Sequence, residues 1–264
     1  MAEMFTKAAA YEKFMGRWSM HLAPLFLDFA RVQSGTKILD LGCGTGSLVQ
    51  TLADRVAGAQ IVGIDPAQPA VDYCRKRFAD RCMTFDCGNG MDLPYMDNAF
   101  DHSLSLLVFQ FIPEPVKAAR EMRRVTRPGG TVAACTWDSG AGGLEMSAIF
   151  WQEAAKLDPA ADARAEKPKH CNRKGQLEAL WHDTGLEGVE EIALELKTEF
   201  SCFDDYWLPF TGGVGPQGVY VNDLTPAHRN ALRDQLRKRL LANRSDTPFS
   251  LGARAWVVRG VVPG

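Results

Sequence analysis

The 264-residue chain has no cysteine pair at C-x-x-C spacing, few histidines (five) and almost no charge bias, with 30 basic against 32 acidic side chains. Each shortage removes a class of function. Seven cysteines, at positions 43, 74, 82, 87, 135, 171 and 202, are odd in number and scattered. They read as reduced thiols and give neither a disulfide framework nor a zinc site, so no metal is expected. A net charge of -2 does not suit a polyanion as main partner, and no nucleic acid is expected. No stretch approaches the roughly 18 consecutive apolar residues of a membrane span. Met1–Lys7 also lacks the apolar core of a signal peptide, so the expectation is a cytoplasmic protein with no membrane partner. What the chain does have is 46% hydrophobic residues, ample for a large core.

The most informative stretch is Ile38-Leu39-Asp40-Leu41-Gly42-Cys43-Gly44-Thr45-Gly46. An apolar run containing an acid ends in three alternating glycines, the pattern of a buried strand turning tightly into a helix. Glycines at 42, 44 and 46 remove the Cβ atoms that would hold a ligand off the backbone. The G-x-G-x-G spacing is one residue short of the dinucleotide fingerprint. A second apolar strand, Gln60–Asp65, ends in an acid 19 positions after Gly46. A helix running back and a parallel strand returning use about 20 residues, so Asp65 belongs beside the glycine turn, where a carboxylate accepts hydrogen bonds from ribose hydroxyls.

Strands are expected at 36–41, 60–64, 82–86, 100–106 and 130–136, with helices at 45–57, 67–79 and 115–126 between them. Residues 8–32 read as helical with a break at Pro24. Helix, strand and helix follow at 144–157, 189–199 and 225–242, and the last strand lies at about 253–259. Regular alternation of this kind means an α/β fold with a parallel, doubly wound sheet.

Three later motifs join these: Gly88-Asn89-Gly90-Met91-Asp92-Leu93-Pro94-Tyr95, Asn98-Ala99-Phe100-Asp101 and Arg124-Val125-Thr126-Arg127-Pro128-Gly129-Gly130. Over about residues 36–137 the chain resembles class I S-adenosylmethionine-dependent methyltransferases, in particular the ubiquinone- and menaquinone-biosynthesis type branch. That branch carries roughly G-D-A-x-x-L-P-F, S-F-D and R-V-L-K-P-G-G in the same order. The resemblance implies a mostly parallel seven-stranded Rossmann-like sheet, with 1–264 as a single domain. Its core would be about 33–137, 176–200 and 249–261, and its cap or lid 1–32, 138–175 and 201–248.

It further implies that Asp40, Gly42, Cys43, Gly44 and Asp65 meet S-adenosylmethionine, which leaves as S-adenosylhomocysteine. Pro66 and Met91 would flank adenine, with Leu106 alongside. Asn89 stands where many relatives have an aspartate, and its amide oxygen can still accept from the adenine amino group; Gly90 replaces the usual alanine. In the leader Tyr11-Glu12-Lys13-Phe14-Met15-Gly16-Arg17-Trp18-Ser19, Arg17 would pair with the cofactor carboxylate beside Trp18, and Tyr11 would close over the methyl group.

Methyl transfer asks for alignment and dryness more than for covalent help, so catalytic residues are harder to read than cofactor residues. Ser105–Pro113 is too apolar for a surface loop and is expected to line the reaction pocket. Gln110, where relatives often have histidine, would orient the substrate, with Phe109, Trp137, Tyr206 and Trp207 completing the acceptor pocket. Glycines 212, 213, 215 and 218 suggest a mobile lid over residues 211–220. His170 is a further candidate base. The basic series Arg229, Arg233, Arg237, Lys238 and Arg239 reads as the solvated face of an amphipathic helix.

The expected activity is methyl transfer to a small-molecule acceptor, with the methylated atom and the oligomeric state left open. Alternatives at this point are an RNA or protein methyltransferase, a non-catalytic S-adenosylmethionine-binding protein, and an NAD-dependent oxidoreductase. The glycine spacing and the Pro-Gly-Gly element speak against the last.

Overall fold

The computed structural model describes residues 12–81, 83–161, 170–242 and 244–264. Seven strands form one sheet: β1 (Lys37–Leu41), β2 (Gln60–Asp65), β3 (Met83–Cys87), β4 (Phe100–Leu106), β5 (Thr126–Trp137), β6 (Glu187–Phe200) and β7 (Phe249–Val261). Their spatial order is β3-β2-β1-β4-β5-β7-β6. The first five run parallel, and β7 is antiparallel to both β5 and β6. Strand order reverses at β1, which pairs with β2 on one side and β4 on the other. A crevice therefore opens beyond its C-terminal end, where open α/β sheets bind ligands.

Period-two alternation assigns the core. On β1, Ile38 joins one apolar cluster, while Leu39 and Leu41 join the cluster on the opposite face. On β7, Val257 and Val258 divide in the same way. Helices cover both faces, so these strands read as nearly continuous apolar runs.

Helix α1 (Arg17–Ala30), preceded by a wide turn at Glu12–Gly16, buries Trp18, Leu22, Phe26 and Ala30 at four-residue spacing. Pro24 lies inside it and does not break it. The proline is only half-buried, and its carbonyl accepts a hydrogen bond from Arg55 at 2.9 Å. Between the strands run α2 (Ser47–Arg55), α3 (Gln68–Arg77) and α4 (Pro115–Val125). The α4 helix stops at Val125 and the fifth strand takes in Pro128-Gly129-Gly130. Gly130 is required there, because a Cβ would lie 2.4 Å from the Asp101 carbonyl oxygen.

After α5 (Glu145–Leu157) comes a helix that periodicity did not reveal, α6 (Gln176–Asp183). It is anchored by the Trp181 indole, which donates to the Val132 carbonyl at 2.9 Å.

The expected lid is not a loop. α7 (Phe203–Trp207), a 3-10 turn at Leu208–Gly212 and α8 (Gly215–Asp223) occupy it, and Gly215, Gln217, Gly218 and Tyr220 are buried. Gly218 packs against the Gly213 backbone, where a Cβ would come within 3.0 Å. Gly218 thus allows close approach of two backbone segments. α9 (Pro226–Leu241) is capped by Thr225, whose hydroxyl accepts from the His228 N–H. Its basic face is ion-paired, with Arg233 on Asp204 at 2.9 Å and Arg237 on Asp246 at 3.0 Å. Among the described residues no helix is long and apolar enough to cross a membrane.

Candidate active site

The turn leaving β1 shapes the site. Gly42, Gly44 and Gly46 all have positive φ, at 77°, 51° and 89°. A Cβ on Gly42 would fall 2.4 Å from a Val108 methyl, and one on Gly46 would fall 2.6 Å from the Phe78 ring. Glycine is therefore demanded by packing as well as by backbone conformation. The loop is stitched to the end of β2: the Gly42 and Cys43 amides donate to the Ile64 carbonyl at 2.7 and 3.1 Å, and the Gly44 amide donates to Asp65 Oδ2 at 3.0 Å. Asp65 Oδ1 accepts from the Ala67 amide at 2.8 Å. Burial raises the Asp65 pKa, and these two backbone bonds pull the other way.

Beneath the loop lies a cavity of about 430 Å³ whose lining includes Asp40, the glycine turn, Asp65, Pro66, Asn89, Gly90, Met91 and Leu106. Asp40 is 1% exposed, and neither of its carboxylate oxygens has a hydrogen-bond partner. Burial, and then the charge of Asp65, push its pKa up to about 8. A buried carboxylate with no partner in the wall of a ligand-sized cavity is half of an ion pair. Asn89 shapes a turn as well as the wall, since its side-chain oxygen accepts from the Met91 amide at 2.9 Å.

A second cavity of about 190 Å³ adjoins the first. Leu107 and Phe111 line both. Leu107 takes a positive φ of 65° and is fixed by its amide, which donates to the Cys135 carbonyl at 2.7 Å. A non-glycine residue held in that region, at the junction of two cavities, is backbone strain stored where a site needs a fixed shape. Gln110 and Trp137 line the second cavity together with Trp151, Asn172, Ser147 and Gln217.

Sequence reading and structure diverge at five positions. Arg17 does not reach the cofactor cavity: its guanidinium donates to Asp205 Oδ1 at 2.7 Å and stacks 4.2 Å over Trp18 and 5.0 Å over Phe200. Trp18 is core, edge-on to Phe200 at 5.4 Å. Phe109 turns to the other face of the sheet and packs on Trp181 at 5.3 Å. Tyr206 is fully buried in the aromatic centre of the cap, its hydroxyl donating to the Met146 carbonyl at 2.9 Å, and Trp207 is buried beside it. Tyr11 lies outside the described residues. His170 is exposed and lines neither cavity.

Sequence reasoning did not find Ser19, which lines the first cavity, or Ser147, Asn172 and Gln217, which line the second. No motif marks them, because they meet only when α1, α5 and α8 fold over the sheet edge. Among the described residues no cluster of His, Cys, Asp and Glu could hold a metal ion.

Comparison with known proteins places this geometry. Residues 39–134 match the family described as a methyltransferase domain. The demethylmenaquinone methyltransferase of Paenarthrobacter aurescens is 37% identical over 106 residues, 40% of this chain and 40% of that protein. The malonyl-[acyl-carrier protein] O-methyltransferase of Erwinia pyrifoliae is 32% identical over 133 residues, 50% of this chain and 48% of that protein. The chain spans from 30% to 58% of the length of such curated relatives. Among solved structures, Haemonchus contortus phosphoethanolamine N-methyltransferase 2, in complex with S-adenosyl-L-methionine, aligns with a TM-score of 0.60 at 18% identity, covering 98% of this chain and 57% of that one. That likeness speaks to the fold.

Proposed function

We propose, from the premise that this chain carries a class I S-adenosylmethionine-dependent methyltransferase domain, that it transfers the methyl group of S-adenosylmethionine to a small molecule held in the second cavity. The observation that carries this reading is the orphaned Asp40 carboxylate beneath Gly42–Gly44. It offers a buried carboxyl that a cationic ligand would draw into its ionised form, and so suits the ammonium of a methionyl group.

The other residues fit the same ligand. Without a Cβ, the Gly44 backbone leaves room for the ligand to lie against the loop, whereas at Gly42 that space is taken by Val108. Each Asp65 oxygen accepts one backbone bond and keeps a second lone pair for a ribose hydroxyl. Pro66, Met91 and Leu106 supply apolar surface for a purine. When bound, the cofactor supplies a methyl group on a positively charged sulfur, ready for displacement by a nucleophile in line.

The chain's part is placement. Leu107 and Phe111 stand where the two cavities adjoin and would align acceptor and methyl group while keeping water out. Calorimetric titration with S-adenosylmethionine and with NAD tests the reading. Saturable one-to-one binding of the first and none of the second is expected; NAD binding in its place would replace this function with redox chemistry.

A further inference from the structure

The second cavity contains an unusual set of buried polar atoms. Gln110 Oε1, Trp137 Nε1, Trp151 Nε1 and Asn172 Oδ1 are all buried without a hydrogen-bond partner, and all four residues line this one cavity. Trp137 and Trp151 are each 8% exposed and Asn172 3%. Buried polar atoms are nearly always paired, because leaving one bare forfeits its hydration without a replacement. Four on one small cavity mark a site that a ligand completes.

The charge balance narrows that ligand. Among the described residues lining the cavity the only ionisable side chain is Asp138, and it is already satisfied. Arg254 donates to Asp138 Oδ2 at 2.6 Å through Nε, and the Gly140 amide donates to Oδ1 at 2.7 Å. Neither a bare cation nor a bare anion is left to meet a charged acceptor. The indole N–H groups are donors only, and the amide oxygens accept. A group that both accepts and donates meets both kinds, and a hydroxyl does so on a single atom, accepting through oxygen and donating its hydrogen. The walls also include Phe14, Met15, Leu107, Phe111, Leu144 and Ala148, apolar surface that suits a ring. A volume of about 190 Å³ lies below the roughly 300 Å³ at which pockets begin to take drug-sized ligands, so one small ring system is the scale.

We infer that the acceptor is an uncharged, flat, hydroxyl-bearing ring compound of phenol or enol type, methylated on that oxygen. This rests on the methyl-transfer reading above. Asp138, the one ionisable side chain among these described lining residues, is held by Arg254 and the Gly140 amide, so a hydroxyl acidic in itself is favoured, a phenol or enol over an alkyl alcohol. In the step, a bond forms from the hydroxyl oxygen to the methyl carbon as the carbon–sulfur bond breaks. Sulfur keeps that electron pair and becomes a neutral thioether, and the hydroxyl proton is released to solvent outside the site. The two indole N–H groups would stabilise the negative charge gathering on the oxygen.

The test uses the whole chain saturated with S-adenosylhomocysteine and titrated with phenol, benzoate and benzylamine, followed by tryptophan fluorescence. Phenol is expected to bind at least tenfold more tightly than either charged probe. Trp137→Phe and Trp151→Phe keep a ring and remove the donor, and each is expected to weaken phenol about fivefold to tenfold. Equal or tighter binding of benzoate or benzylamine by the unmodified protein would overturn the inference, whether or not the variants fold. So would a failure of phenol to bind while S-adenosylhomocysteine binds normally; that outcome leaves the methyltransferase reading standing. Failure of S-adenosylhomocysteine itself to bind would overturn both.

Discussion

Gly44 donates its backbone N–H to Oδ2 of Asp65 at 3.0 Å, tying the glycine turn after β1 to the end of β2 across 21 positions of sequence. The same carboxylate holds the Ala67 amide at 2.8 Å, so Asp65 fixes two segments of the cofactor cavity before any ligand arrives. Its removal should therefore cost both a ligand contact and the order of the loop.

For Asp65→Ala, the expected loss of S-adenosylmethionine affinity is about 1.5–3 kcal/mol, the range for hydrogen bonds to a charged group. Asp65→Asn should lose less, because its amide oxygen still accepts one of the two backbone bonds. Calorimetry on both variants, with circular dichroism to confirm the fold, checks the order. Equal affinity for all three proteins would take Asp65 out of the site.

Asp40 makes the stability of the ligand-free protein depend on pH. Its pKa rises from 3.8 in the unfolded chain to about 8 in the folded one, so the folded state holds a proton that the unfolded state has released. The resulting stabilisation is complete below the ordinary carboxylate range and is lost as pH climbs toward 8. Asp40→Asn removes the ionisation. Its melting temperature should match that of the unmodified protein only below about pH 4 and exceed it by a margin that widens to several degrees at pH 8.5. Thermal melts across pH 5–9 measure this; parallel curves would contradict it.

Arg17 and Asp205 form a 2.7 Å ion pair whose side chains are 30% and 28% exposed. With screening, such a pair is worth about 1 kcal/mol or less. Asp205→Asn should lower the melting temperature by a few degrees and leave S-adenosylmethionine affinity within about twofold. A tenfold loss of affinity would return Arg17 to the cofactor site.

Residues 215–223 are helix α8, with buried side chains. Their amides should exchange slowly even without ligand, and Gly218→Ala should destabilise the protein by forcing a Cβ within 3.0 Å of the Gly213 carbonyl carbon. Fast exchange in the empty protein, slowed by ligands, would restore a lid.

The first cavity was legible in the chain because the residues that line it lie close together in sequence. Asp40, Gly42, Gly44 and Asp65 sit at strand ends whose apolar runs and glycine punctuation can be read directly, and the doubly wound sheet follows from the same alternation. The acceptor half was legible only where one segment supplies it, as with Gln110 in the apolar run after β4. Tyr206 and Trp207 look like pocket aromatics in sequence, yet aromatic residues also build cores, and only the packing of the cap distinguishes the two. Asn172 and Gln217 carry no local signal, since what matters about them is a missing partner in three dimensions. The glycines at 212–218 did not mark a loop, because glycine serves close packing as readily as freedom.

The most direct test of the central claim is a crystal structure of the chain with S-adenosylhomocysteine. The account predicts the ligand in the 430 Å³ cavity, its ammonium within hydrogen-bond distance of an Asp40 oxygen and its ribose hydroxyls on Asp65. A ligand bound elsewhere, or bound there with the Asp40 carboxylate still unpartnered, would contradict it.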